Sequence, residues 1–139
     1  MPSVVLCLFL VMCALPQILS LEFPKHFESQ EIRNCETEVN PDKNYNFLDE
    51  NLVIKNDPRA RSFVGCVFRK YKMIHGGEFV KDTTIDYLVE KTVPFFKPHE
   101  KDPRHLAEEA FELCKGVKGA GIGERAVNFS NCVNAHFKA

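Results

Sequence analysis

The side chains best suited to chemistry in this 139-residue chain are its six cysteines and five histidines. Cys7 and Cys13 lie in an apolar opening stretch, whereas Cys35, Cys66, Cys114 and Cys132 lie in the charged remainder. A cysteine can act as a nucleophile, hold a metal as its thiolate, or close a disulfide. The first two roles need partners at defined spacing. His105-Leu106-Ala107-Glu108 has the wrong order for a helical zinc-protease motif, which sets two histidines one turn apart around the glutamate. Cys132 and His136 would share a helix face, but a metal would need two more ligands and a free thiolate. Asp42-Lys43-Asn44-Tyr45-Asn46 opens like a calcium loop, yet Phe47 stands where glycine is needed and Val53 where the bidentate glutamate is needed. No catalytic set, metal site or cofactor is expected. Asn128-Phe129-Ser130 matches the N-glycosylation acceptor pattern, but beside apolar Phe129 in a helical stretch an unmodified residue is favoured. His75 is a candidate pH switch, with a solvated loop histidine the favoured reading. For the cysteines, disulfides are what remains.

Disulfides need an oxidising compartment, and the opening stretch supplies one. Residues 1–20 carry no charged side chain, residues 4–15 are almost wholly apolar, and Pro16 interrupts the run. This reads as a signal peptide over residues 1–20, cleaved near Ser20, with one domain over residues 21–139. A basic residue ahead of the apolar run is missing. A membrane anchor is the alternative, but the run is short for a span of about 20 residues, and no later stretch is apolar enough. A secreted, extracellular chain without stable membrane insertion is expected. Cys7 and Cys13 would leave with the leader. The four cysteines left allow three pairings. A formal net charge of −1 argues against nucleic acid as a partner.

The elements that would carry these residues read as helices. Residues 24–38 form a first helix with Cys35. Residues 40–47 are polar and turn-rich. Residues 48–54 suggest a short helix closed by Asn56-Asp57-Pro58. In residues 60–73, Phe63, Val67 and Tyr71 form one stripe, and His75-Gly76-Gly77 ends that helix. Asp82 or Thr83 caps a helix running to Thr92 and burying Ile85, Leu88 and Val89. Pro94 and Pro98 bracket Phe95-Phe96 in a connection. A further helix begins at Asp102, with Pro103 in its first turn. Leu106, Ala110, Leu113 and Val117 share one of its faces, and Gly119-Ala120-Gly121 ends it. The last helix places Ile122, Ala126, Phe129, Val133 and Phe137 on one stripe. The sum is an all-α, compact single domain of about six helices. Twelve phenylalanines and no tryptophan dominate its apolar inventory.

Ser62 stands four positions before Cys66, and Gly123 nine before Cys132. With cysteine at those two sites, the spacing resembles the six-cysteine framework of the insect odorant-binding protein family. The chain is thus similar to the reduced-cysteine branch of that family. In six-cysteine members the second and fifth cysteines pair with each other, and here both are absent together. The Cys66 to Cys114 interval is longer than the family usually shows, and the excess is placed in residues 95–102.

The resemblance implies disulfides Cys35–Cys66 and Cys114–Cys132, each worth about 3–4 kcal/mol by restricting the unfolded chain. It also implies an apolar cavity that binds small hydrophobic ligands reversibly, with no enzymatic activity. By similarity, Phe68 and Met73 face that cavity, two and seven positions after the family's third cysteine. Phe79 joins them from the Gly77-Glu78-Phe79 turn, Leu88 and Val89 from the next helix, and Phe111 from the one after. Ala126, Val127, Ser130 and Val133 come from the last helix. Ser130 and Tyr71 are candidates to hydrogen-bond a ligand hydroxyl or carbonyl. The absent bridge would span the helices of Ser62 and Gly123, so a looser cavity wall is expected there. Ser62→Cys with Gly123→Cys is expected to restore the bridge. Homodimerisation and receptor contact are left open. The competing reading is a secreted helical interaction protein with a filled core and an exposed apolar patch acting on a macromolecule.

Overall fold

The computed structural model describes residues 27–139. The expected leader, with Cys7 and Cys13, and residues 24–26 of the expected first helix lie outside the described residues. Five helices account for most of the described chain. Helix α1, Gln30–Val39, starts at Ser29, whose hydroxyl accepts from the Ile32 amide at 3.1 Å. The start is thus later than the spacing suggested, because a serine that caps the first turn takes extended backbone itself. Helix α2, Pro58–Lys70, is capped by the Asp57 carboxylate accepting from the Ala60 amide at 2.9 Å, with Pro58 in the first turn.

Residues 48–54 are not helical. Leu48 and Ile54 form an antiparallel bridge, and the Asp49 carboxylate accepts from the amides of Asn51 (2.8 Å) and Val53 (2.9 Å). That carboxylate offers the backbone donors a turn instead of a helix. Beyond α2, strands β1 (Ile74–His75) and β2 (Glu78–Phe79) pair as a hairpin. Its two-residue turn needs positive φ twice, which Gly76 (57°) and Gly77 (80°) supply. His75 points to solvent there.

Helix α3 spans residues 81–96 in three parts: α-helical Lys81–Tyr87, a π segment Leu88–Thr92, and α-helical Val93–Phe96. No side chain caps its start, against the expectation for Asp82 or Thr83. The Thr83 hydroxyl instead donates to the Lys72 carbonyl at 2.6 Å, tying the helix to the turn that follows α2. The helix also runs through Pro94, which the spacing placed in a connection. Proline lacks an amide hydrogen, and its ring excludes the carbonyl four residues earlier. The wider turn accommodates it, with the Val93 amide donating to the Leu88 carbonyl. Helices α4, Pro103–Cys114, and α5, Ile122–Lys138, complete the fold.

Disulfide Cys35–Cys66 ties α1 to α2 and Cys114–Cys132 ties α4 to α5. No disulfide among the described residues joins α2 to α5, yet these two helices pack closely. A Cβ added to Gly123 would stand 2.6 Å from the Arg61 carbonyl oxygen, and one on Gly65 would stand 3.3 Å from Gly123 Cα. The expectation of a loose wall at the absent bridge is therefore corrected. Backbone touches backbone there, and position 123 has no room for a cysteine side chain unless the helices separate. We expect Gly123→Ala to destabilise the oxidised protein by about 1–3 kcal/mol through overpacking, measured by denaturant unfolding.

Candidate functional site

Helices α2, α3 and α5 and the segment 47–54 line an apolar cavity with an open mouth. Its volume is about 80 Å³. Helix α2 contributes Phe63, Val64, Val67 and Phe68, followed by Met73. Helix α3 presents Tyr87, Leu88, Thr92, Phe95 and Phe96 from its π segment and the turns on either side. Helix α5 contributes Phe129, Ser130, Val133 and Asn134. The segment 47–54 adds Phe47, Leu48, Leu52 and Ile54, and Phe27 also reaches the cavity.

Aromatic contacts brace this wall. Phe129 meets Phe68 (6.0 Å), Phe79 (4.7 Å) and Phe111 (6.1 Å). Phe47 stacks on Phe63 at 4.2 Å. Phe96 lies 4.8 Å from Phe95 and 6.3 Å from Phe137.

Polar groups on the wall are few: Tyr87, Thr92, Ser130 and Asn134. No carboxylate, lysine, arginine or histidine belongs to the wall among the described residues. Thr92 is only 3% exposed. Protein surrounds Tyr87, but part of its surface faces the cavity. Burial is the largest cause raising its phenol well above the ordinary 10.0, and the neighbouring Tyr71 adds to it. Tyr71 is raised as well, again chiefly by burial, which outweighs the opposing hydrogen bond to Ser29. That hydroxyl donates to the Ser29 oxygen at 2.6 Å, so Tyr71 supports the cap of α1 and does not belong to the wall.

Of the residues singled out from sequence, Phe68, Met73, Leu88, Ser130 and Val133 lie together on the cavity wall. Phe79, Val89, Phe111, Ala126 and Val127 do not. Phe79 and Phe111 pack behind Phe129, and Phe79 also lies under the Arg125 guanidinium at 4.9 Å. Val89 packs half-buried on the core next to Leu88. Ala126 and Val127 are fully buried one turn before Ser130. Sequence reasoning missed as wall residues Phe27, the contributions of residues 47–54, Phe95 and Phe96, and also Phe63, Val64, Val67, Tyr87, Thr92, Phe129 and Asn134. Two adjacent phenylalanines in a supposed connection were a usable signal, because an exposed link has little reason to carry them. His105 and His136 pair instead with Glu109, at 3.0 and 3.9 Å. Asn128 uses its amide to bond the Lys118 carbonyl at 2.7 Å, and Ser130 lines the cavity.

The family model described as the PBP/GOBP family matches residues 22–136. No curated protein and no solved structure matches the chain.

The raised phenols give a pH dependence. The folded chain holds these protons more tightly than the unfolded chain, so their contribution to stability is complete below about pH 10 and declines as pH rises further. Ultraviolet titration is expected to show the Tyr87 phenolate appearing above its ordinary range, in step with loss of folded structure. Ionisation at the ordinary value of 10.0 in folded protein would contradict its enclosure.

Proposed function

Because the chain belongs to the PBP/GOBP family, the odorant- and pheromone-binding proteins of insects, we propose that it is a secreted carrier that takes a small hydrophobic ligand reversibly into the cavity between α2, α3 and α5. The observation that carries the reading is an apolar cavity braced by aromatic rings within a domain stapled by two disulfides. Each ligand methylene moved from water into such a space contributes about 0.8 kcal/mol. Micromolar affinity, near −8 kcal/mol, is within reach of an odorant-sized apolar molecule even after ordering costs.

The ligand wall we assign comprises Phe68, Met73, Leu88, Ser130 and Val133, with Phe63, Val67, Phe95 and Phe96 beside them. Met73 supplies a side chain that adapts to ligand shape. Thr92 and Ser130 offer hydroxyls to one ligand oxygen. A macromolecular partner acting through a large apolar face finds less support: the exposed large hydrophobics among the described residues are Val53, Leu113 and Ile122.

The reading is tested by uptake of a fluorescent apolar probe, followed by its displacement with aliphatic alcohols and aldehydes. Val133→Phe, which places a ring in the cavity, is expected to weaken probe binding at least tenfold while α-helical circular dichroism is retained. Failure of every such probe to bind folded, oxidised protein would sink the reading.

A further inference from the structure

We propose that Asn131 determines how long a ligand the cavity accepts, by clamping the segment 47–54 that closes it. Four residues of this segment, Phe47, Leu48, Leu52 and Ile54, line the cavity. Its internal bonds fold it on itself as a small hairpin: the Asp49 amide donates to the Val53 carbonyl (2.9 Å) and the Lys55 amide to the Phe47 carbonyl (2.9 Å). At its base, the Asn40 side chain bonds the backbone of Tyr45 and Phe47 stacks on Phe63. At its far side, the Asn131 amide takes the place of a missing strand neighbour. The Ile54 amide donates to Asn131 Oδ1 at 2.8 Å, and Asn131 Nδ2 donates to the Ile54 carbonyl at 2.9 Å. Lys138 Nζ adds a bond to the Asn51 carbonyl at 2.8 Å.

As it stands, the cavity is small, about 80 Å³. A guest longer than this space gains further burial only by displacing a wall. Helix α2 is tied to α1 by a disulfide and to α5 by close backbone packing, whereas the far side of the hairpin is held by these few hydrogen bonds and the packing of Ile54 on the core. Long guests therefore bind at the expense of the Asn131 clamp, and short guests bind with it intact. Asn131 is a positioning residue here: Ser130 beside it faces the ligand, and Asn131 holds the opposite wall. This inference rests on ligand binding in the same cavity.

The test is displacement of N-phenyl-1-naphthylamine by straight-chain 1-alkanols from butanol to dodecanol. In the unaltered protein, affinity is expected to climb with each carbon among the short alkanols and level off before dodecanol. In Asn131→Ala the levelling is expected to vanish, with dodecanol about tenfold tighter than in the unaltered protein, hexanol unchanged or weaker, and probe release several-fold faster by stopped flow. Asn131→Asp keeps the acceptor and loses the donor, and should fall between. An unbroken climb to dodecanol in the unaltered protein overturns the proposal. So does an identical length profile and release rate in folded Asn131→Ala with both disulfides formed. Should Asn131→Ala not fold, the exposed Lys138→Met reads the same wall: faster release supports the proposal and unchanged release overturns it. Loss of all probe and alkanol binding in the unaltered protein removes the carrier reading as well, a different outcome from an insensitive Asn131.

Discussion

Helices α2 and α5 meet backbone to backbone where Gly65 lies against Gly123, and the cavity depends on that contact. The two disulfides do not make it. One joins α1 to α2 and the other α4 to α5, so each staples neighbours along the chain. What places Phe63, Val67 and Phe68 of α2 opposite Ser130 and Val133 of α5 is a pair of residues without side chains. On α5 the contact lies in the first turn and the cavity residues farther along, whereas on α2 the cavity residues flank Gly65 on both sides.

An apolar interior ordinarily closes to crystal-like density, so an open space within one needs support. Here the support is aromatic. Phe129 is held by Phe68, Phe79 and Phe111, and Phe96 is held by Phe137. Rings held edge to face or tilted against one another cannot fold inward without losing those contacts. The π segment of α3 contributes as well. It lets one helix continue through Pro94, so Leu88, Thr92 and Phe95 remain on a continuous wall. The polar atoms left on that wall, in Tyr87, Thr92, Ser130 and Asn134, provide hydrogen-bonding points in an otherwise apolar surface.

Much of this was legible in the residues. The apolar stripes of α2 and α5 mark their inner faces, and Asp102-Pro103 marks one helix start closely. The cysteine spacing, through its resemblance, carried both disulfide pairings. The hairpin wall was not legible. Residues 48–54 have enough apolar side chains for a helical turn, and only the Asp49 carboxylate and the distant Asn131 amide decide otherwise. Nor was the split within the expected ligand set. Phe79 and Phe111 are as apolar as Phe68, but they stand behind Phe129 instead of before it.

By itself, the sequence determined the class of protein: an all-α domain with two staples and more aromatic volume than polar chemistry. Local rules carry that information, since helix period, capping and cysteine spacing all act over short stretches of chain. Only the tertiary structure decided where the open space lies and what closes it. Both depend on contacts between residues distant in sequence, Gly65 with Gly123 and Ile54 with Asn131. It also recast Gly123, which in the cysteine pattern is a missing staple and in the fold is the residue that lets two helices touch. The physical reason is steric. A spacing pattern records which side chain is absent, and packing alone shows what occupies the room it would have taken.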